Sequence, residues 1–472
     1  MRPICTADIY RQFRPALFSV LHRPQTENFM KTNSISLYFK YVSLNILAMA
    51  ALSCYILADT FFVSRGLGAN GLTALNLAIP VFNLVNGTGL MLGVGGGAKY
   101  AVLKSREDAA AQNKAFTNTL YCAVIFSAVF MAAGAFFSRN ITAALGADSA
   151  VFEMTNTYLK VILLFSPAFI FNNIFVAFIR NDENPKLSMA GVITGSLSNV
   201  VLDYIFIFPL GWGIFGAVFA TCLSPIISMC VMSAHKIAHK NGFHLVKTAP
   251  SPKLGTGICV LGIPSLIAEL SNGIVILVFN FIILEISGNT GVAAYGVITN
   301  ISLVVIAVFT GVAQGMQPLV STAHGRGETK SAQRFFRYAV ITVLVIFAVI
   351  YPVVFCCSEQ IALIFNSENN TELQRIAVYG LKLYFTGAGF AGFNIVAAMY
   401  FTSRETPLPA HIISLLRGLI LIVPAALIMS KLLGLTGIWL SFTASELLCA
   451  VCSAVILYVF SRRQKKLHNL KT

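Results

Sequence analysis

Two aspartates occupy places where a carboxylate is costly. Asp59 closes the apolar run NILAMAALSCYILAD, and Asp203 lies inside SNVVLDYIFIF, one helical turn beyond Asn199. Ionising such a group inside a bilayer costs roughly 2.5–3.5 kcal/mol on insertion scales, so something must offset the charge. If Asp59, Asn199, Asp203 and Thr221 converge, the two carboxylates can hold one proton between them, because two like charges in contact resist joint ionisation. The same oxygens can ligate a small cation such as Na+, or form a hydrogen-bonded plug that fixes helices. A second constellation surrounds Glu269, with Asn272 and Asn280 on the same stretch and Gln314 and Gln317 on the next. Asn76, Asn83 and Asn86 give a matching face in the first half of the chain, and Asn172 adds an amide. Amides interleaved with Phe, Met and Tyr suit an amphipathic, weakly specific ligand, and a carboxylate at Glu269 favours a cationic one.

These residues need long apolar elements to hold them. The chain is 57% hydrophobic and 11% charged, against about 25% charged in soluble domains, which marks a protein embedded in a lipid bilayer. Apolar stretches of about 20 residues fall at 37–63, 72–97, 115–138, 153–180, 187–208 and 212–235, then at 254–284, 293–322, 335–357, 374–402, 407–430 and 435–461. The expectation is an all-α integral membrane protein of twelve transmembrane helices. Counting from Leu37 and Lys186, Asp59 and Asp203 lie roughly 33 and 26 Å along their helices. Glu269 lies roughly 22 Å into its own, near mid-membrane.

Lysines and arginines gather in alternate connections: Lys99, Lys104, Arg106 and Lys114; Arg180 and Lys186; Lys236 to Lys253; Arg326 to Arg337. Both tails are basic as well. Such residues stay on the cytoplasmic side, so both termini are expected there, in a plasma (inner) membrane. The net charge of +15 is a topology signal and not a sign of nucleic-acid binding. Residues 1–30 lack an apolar core long enough for a signal peptide, and Met30 is an alternative start. The ten cysteines form no paired framework and read as small buried side chains.

The chain also repeats itself at a shift of about 220 residues. RGLGANGLTALN answers EISGNTGVAAYG, pairing Gly68 with Gly288 and Gly71 with Gly291; further pairs are Lys160 with Lys382, Asn172 with Asn394 and Gly216 with Gly437. The reading is two homologous six-helix bundles, 31–235 and 254–461, joined by a linker at 236–253 and flanked by a tail at 1–30 and a basic tail at 462–472. Parallel repeats of this kind place a cargo site between the bundles. The second repeat lacks the acids: Phe279 or a neighbour answers Asp59, and Pro424 or Ala425 answers Asp203.

Other motifs have plainer meanings. GTGLMLGVGGGAK fails the phosphate-loop pattern, and its Gly89, Gly93 and Gly97 instead suit close helix approach. HKIAH carries a His pair one turn apart, at a helix end beside lysines, and CAVC has no further ligands near it. Arg417 and Glu446 are expected to pair with each other, and Lys160 and Lys382 to reach toward the membrane surface. No HExxH, GxSxG or comparable catalytic set occurs, so an enzyme is not expected, nor is a cofactor.

ADTFFVSRGLGANGLTALNLAIPV (58–81), FIRNDENPKLSM (178–189), SNVVLDYIFIFPLGWGIFGAVFAT (198–221) and GVAQGMQPLVSTAHGRGE (311–328) resemble the multidrug and toxic-compound extrusion (MATE) family, in its bacterial DinF/MepA-like branch. The resemblance covers about 31–460. It implies export of organic cations and other amphipathic xenobiotics by alternating access, driven by antiport of H+ or, alternatively, Na+, in a protein expected to be a monomer. It assigns coupling roles to Asp59, Asn199, Asp203 and Thr221. Some members carry an acidic pair on helices seven and ten; here Glu269 answers the first, and helix ten offers Lys382. The alternative within the superfamily is a flippase for lipids or lipid-linked oligosaccharides, which calls for about fourteen helices and a strongly basic cavity.

Overall fold

The computed structural model describes residues 34–238, 240–366 and 370–469. The expected tail 1–30, His239 of HKIAH and residues 470–472 lie outside them. Every regular element among the described residues is helical, as a bilayer demands of a chain that does not close into a barrel.

Twelve long helices follow in order. α1 is Ser34–Gly68 and α2 is Asn70–Ser105. α3 spans Ala109–Phe136. α4 is bent by 49° between its halves, Phe152–Leu164 and Ser166–Asn181. α5 is Pro185–Ile207 and α6 is Gly213–Met232. α7 and α8 share the continuous run Pro252–Gly325, broken at Gly288. α9 is Thr329–Cys356 and α10 runs over Thr371–Ser403. α11 begins at Pro407 and contains a π-helical turn at Leu416–Ile420; α12 follows the break at Gly434 and ends at Asn469. The expected spans coincide with these helices, apart from their ends.

The repeat is written into the backbone. Gly68 and Gly288 take nearly the same conformation, φ 67 and 60 with ψ −159 in both, a region essentially restricted to glycine. No atom lies within 4 Å of a Cβ placed at either one, so glycine is required there by the backbone and not by crowding. Gly213 and Gly434 match in φ, at 61 and 59. Even Glu183 and Glu405, at answering positions before Pro185 and Pro407, share a left-handed φ of 66 and 54.

Two apolar cores correspond to the two lobes, and each lobe's first helix starts against the other. Tyr38, Tyr41 and Val42 of α1 belong to the core of the second lobe, and Ile258 of α7 to that of the first. Gly311 and Gly315 of α8 lie where a Cβ would press on the backbone of α1 at Ile46 and Val42. The linker is laid along α3 by a ladder of polar contacts. Asn113 Oδ1, Thr117 Oγ1 and Asn118 Oδ1 accept the N–H groups of His244, Val246 and Ser251 at 2.8, 3.1 and 2.7 Å, and Tyr121 donates to Thr248 O at 3.0 Å. Phe243 fills a pocket between Tyr100, Phe116 and Phe178. The end of the bundle where α1 begins, α12 ends and this linker docks is called the basic end below.

Candidate functional site

The acid cluster forms within the first lobe. Asp59 on α1 is 8% exposed, and Asp203 and Asn199 on α5 are fully buried. The Asp59 and Asp203 carboxyls lie close enough to interact directly, and two like charges brought together in a buried site favour a proton on one of them. With its amide turned to satisfy both neighbours, Asn199 donates to Asp203 Oδ2 at 3.1 Å and accepts the Thr221 N–H at 3.2 Å. The Thr221 hydroxyl instead donates to Ala217 O at 3.1 Å. Oδ1 of each aspartate is buried without a protein donor. Among the described residues no three His, Cys, Asp or Glu side chains converge as a metal site.

In the second lobe the position answering Asp59 is Phe279, which is fully buried and stacks on Tyr295, which stacks in turn on Trp439. That lobe has its own polar network deeper in α10–α12. Arg417 Nε donates to Glu446 Oε1 at 2.8 Å, the ion pair expected from the sequence, and Asn394 Nδ2 donates to Glu446 Oε2 at 2.8 Å.

A cavity of about 130 Å³ lies mostly within the first lobe, with Glu269, Thr310 and Gln314 of the second lobe completing its wall. Its walls carry Thr221, Glu269, Gln314 and Asn172, four of the residues singled out from the sequence, together with Tyr55 and Asn86. Asn86 accepts a hydrogen bond from Asn173 at 2.9 Å. Asn280 and Asn83 do not line it. Asn83 faces Gly273 instead, where helices α2 and α7 approach. Glu269 packs its stem against Gly87 of α2, so it sits on the seam itself. Lys382 is not its partner: the ammonium lies 5.2 Å over the Phe355 ring, in a separate groove with Glu359 and Tyr379.

Two groups were not legible as site residues. Tyr55 lies one turn before Asp59, a spacing that signals a shared face. Arg180 was expected at a basic loop, yet it is 2% exposed and lines the cavity. It is buried because α2 and α8 continue past the end of α4 and enclose it. The glycines of α2 allow this crowding: a Cβ at Gly93 or Gly97 would press on Asn173 or Asn181 of α4.

Beside the cavity, on the linker side, Asp182 gathers four donors. Lys104 Nζ, Tyr100 OH, the Gly242 N–H and His235 Nε2 approach its carboxylate at 2.6, 2.7, 2.6 and 2.8 Å. Burial pushes the Asp182 carboxyl up, but Lys104, the Gly242 N–H and Tyr100 together outweigh it and hold the group below the usual carboxylate range. His235, half of the HKIAH pair, is thus spent on holding the linker.

Two parallel-repeat lobes of six helices, with a cavity walled by residues of both and a carboxyl pair in one lobe, define a transporter of the alternating two-lobe class. The MatE family model matches residues 45–205 and 264–428, and the chain belongs to that family. It is 25% identical over 411 residues to the multidrug export protein MepA of Staphylococcus saprophyticus, covering 87% of this chain and 90% of that protein. The Staphylococcus aureus MepA is likewise 25% identical over 413 residues. Among solved structures, a MATE protein in complex with MaL6 superposes with a TM-score of 0.86 at 23% identity, covering 91% of this chain and 97% of that one. An outward-facing multidrug resistance MATE transporter of the MOP superfamily gives 0.86 at 22% identity, covering 91% and 96%. These likenesses establish the fold and a multi-pass membrane protein.

Proposed function

We propose that this chain exports amphipathic organic cations and related drugs across the plasma (inner) membrane by exchange for protons, with its basic end and both termini cytoplasmic. The observation that carries the reading is the buried Asp59–Asp203 carboxyl contact one wall away from a cavity shared by both lobes. A carboxyl pair that touches when it holds a proton and separates when it loses one converts protonation into helix displacement. Thr221 connects the two, since it lines the cavity and binds Asn199 through its backbone.

Sodium fits less well. A sodium ion would need both carboxylates ionised at once, whereas two carboxyls brought together in a buried site favour a proton on one of them. The names of the MepA relatives support drugs as cargo, and Glu269 supports a positive charge on them. A polyanionic lipid-linked cargo is disfavoured, because Arg180 is the one basic side chain on the described cavity wall. The cavity is smaller than the ~300–1,000 Å³ typical of drug pockets, so cargo requires the lobes to part. A monomer suffices, since each constellation is complete within one chain. Proteoliposomes given a pH gradient or a sodium gradient separately test the proposal: ethidium movement driven by the pH gradient supports it, and movement driven only by sodium at equal pH refutes the choice of ion.

A further inference from the structure

Hydrogen bonds and ion pairs that cross from lobe to lobe gather toward the basic end. Arg180 Nη1, on the last turn of α4, donates across the seam to Gln314 Oε1 of α8 at 2.7 Å and, within its own lobe, to Asn45 Oδ1 of α1 at 3.0 Å. The next residue, Asn181, exchanges two bonds with Gln317, one turn along α8, at 3.1 and 3.2 Å. Nearer the surface Lys99 pairs with Glu405 at 2.8 Å, and Arg106 Nε reaches Gly325 O at 3.4 Å.

We propose that Arg180 and Asn181, with Gln314 and Gln317, form a reversible lock that closes the cavity on the basic side, and that cargo in the cavity acts on it. The inference rests on the transporter reading and adds the residues that hold one of its two states. Two features distinguish a lock from permanent glue. First, the buried guanidinium is bonded to amide oxygens and not to a carboxylate, and its Nε has no protein acceptor. A buried cation satisfied this incompletely makes the closed state favourable by a small margin, and all four side chains recover hydrogen bonds from water once the lobes part. Second, Arg180 and Gln314 both line the cavity. An acceptor group on a bound molecule therefore competes with Gln314 for the same N–H donors. Arg180 and Asn181 are positioning residues here, acting through the lobe equilibrium.

Hydrogen–deuterium exchange of the full chain in lipid nanodiscs tests this without cargo or gradient. Arg180→Gln removes the charge-assisted bond and is expected to raise exchange about tenfold at the basic ends of α4 and α8, with the opposite ends unchanged. Gln314→Glu turns the bond into an ion pair and is expected to slow exchange at the same ends and to slow dye efflux. If Arg180→Gln fails to fold, Gln317→Leu, which breaks only the Asn181 pair, gives the same directional result more weakly. Unchanged exchange at the basic ends in both Gln314→Glu and Gln317→Leu overturns the lock, as does a change equal at both ends of the helices, which marks global stability alone. A lock seen in a protein that moves no dye separates failure of the transport reading from failure of this one.

Discussion

Under the proposed proton exchange, replacing Asp203 with asparagine removes the shared proton and little else. The amide is isosteric, keeps a partner in Asn199 at the 3.1 Å position, and lies in a fully buried site whose packing is unaltered. Under the proposed coupling the two carboxyls give up one shared proton per cycle, and the exchange is one proton for one cargo molecule. For a singly charged cargo such as ethidium that exchange moves no net charge, and the pH gradient alone sets the limit. One pH unit is worth about 1.4 kcal/mol, which sustains about a tenfold concentration ratio. Proteoliposomes with a one-unit pH step should therefore hold ethidium about tenfold above equilibrium with the native chain, and at unity with Asp203→Asn. Thermal unfolding in detergent should show the variant folded. A variant that still accumulates dye about tenfold refutes the assignment of Asp203, and a native ratio near a hundredfold refutes the single shared proton.

Glu269→Gln should weaken export of cationic dyes and spare neutral drugs, measured by efflux from cells, because among the described residues no ion pair holds Glu269 for structural reasons; equal loss across both classes would contradict a cation-reading role. Asp182→Asn should cost about 3 kcal/mol of stability, the lower end for breaking a buried ion pair, since Lys104 is 29% exposed and water screens it; scanning fluorimetry reads the fall in Tm. Because the Asp182 pKa is depressed on folding, its contribution is fully present above the unfolded value near 3.9 and is lost as pH falls through the lower folded value, so the gap between native and variant Tm should stay constant at neutral pH and close only in acid. Gly288→Ala should destabilise by about 1–3 kcal/mol through backbone strain alone, and a variant as stable as the native chain would show that the break is not locked by its neighbours.

Helix positions, the internal repeat and the Arg417–Glu446 pair were legible because each depends on short-range pattern or on two charges with no other partner in the apolar phase. The acid cluster was legible for the same reason, from Asp203 and Asn199 one turn apart. Arg180 was not: its place at the end of FIRND reads as a loop charge, and only the extra length of α2 and α8 puts it inside. Lys382, the helix-ten residue that the family resemblance sets beside Glu269, lies apart from it over Phe355, because membership of neighbouring helices says nothing of lateral position. The docking of 240–251 along α3 rests on Asn113, Thr117 and Tyr121 at four-residue spacing, which looks like an ordinary polar stripe until a strand of chain is laid on it.

The two lobes share their backbone breaks and differ in what they place beside them, and this divides the labour of the machine. Gly68 and Gly288, Gly213 and Gly434, and Glu183 and Glu405 keep matching left-handed conformations, although other side chains at answering positions have diverged in charge: Asp182, which binds the linker after α6, is answered by Arg404, which lies 5.0 Å over Phe460 at the end of α12. Conformations restricted to glycine, or costly for other residues, persist only where the surrounding structure over-determines them, so the breaks set how each bundle can bend. The acids have no such symmetry. Phe279 replaces Asp59 with an aromatic stack that cannot change charge, so protonation can displace α1 and α5 while the second bundle stays rigid. Under the proton-exchange proposal, this difference in chemistry laid over matching backbone breaks makes the first lobe the moving part and puts the coupling there.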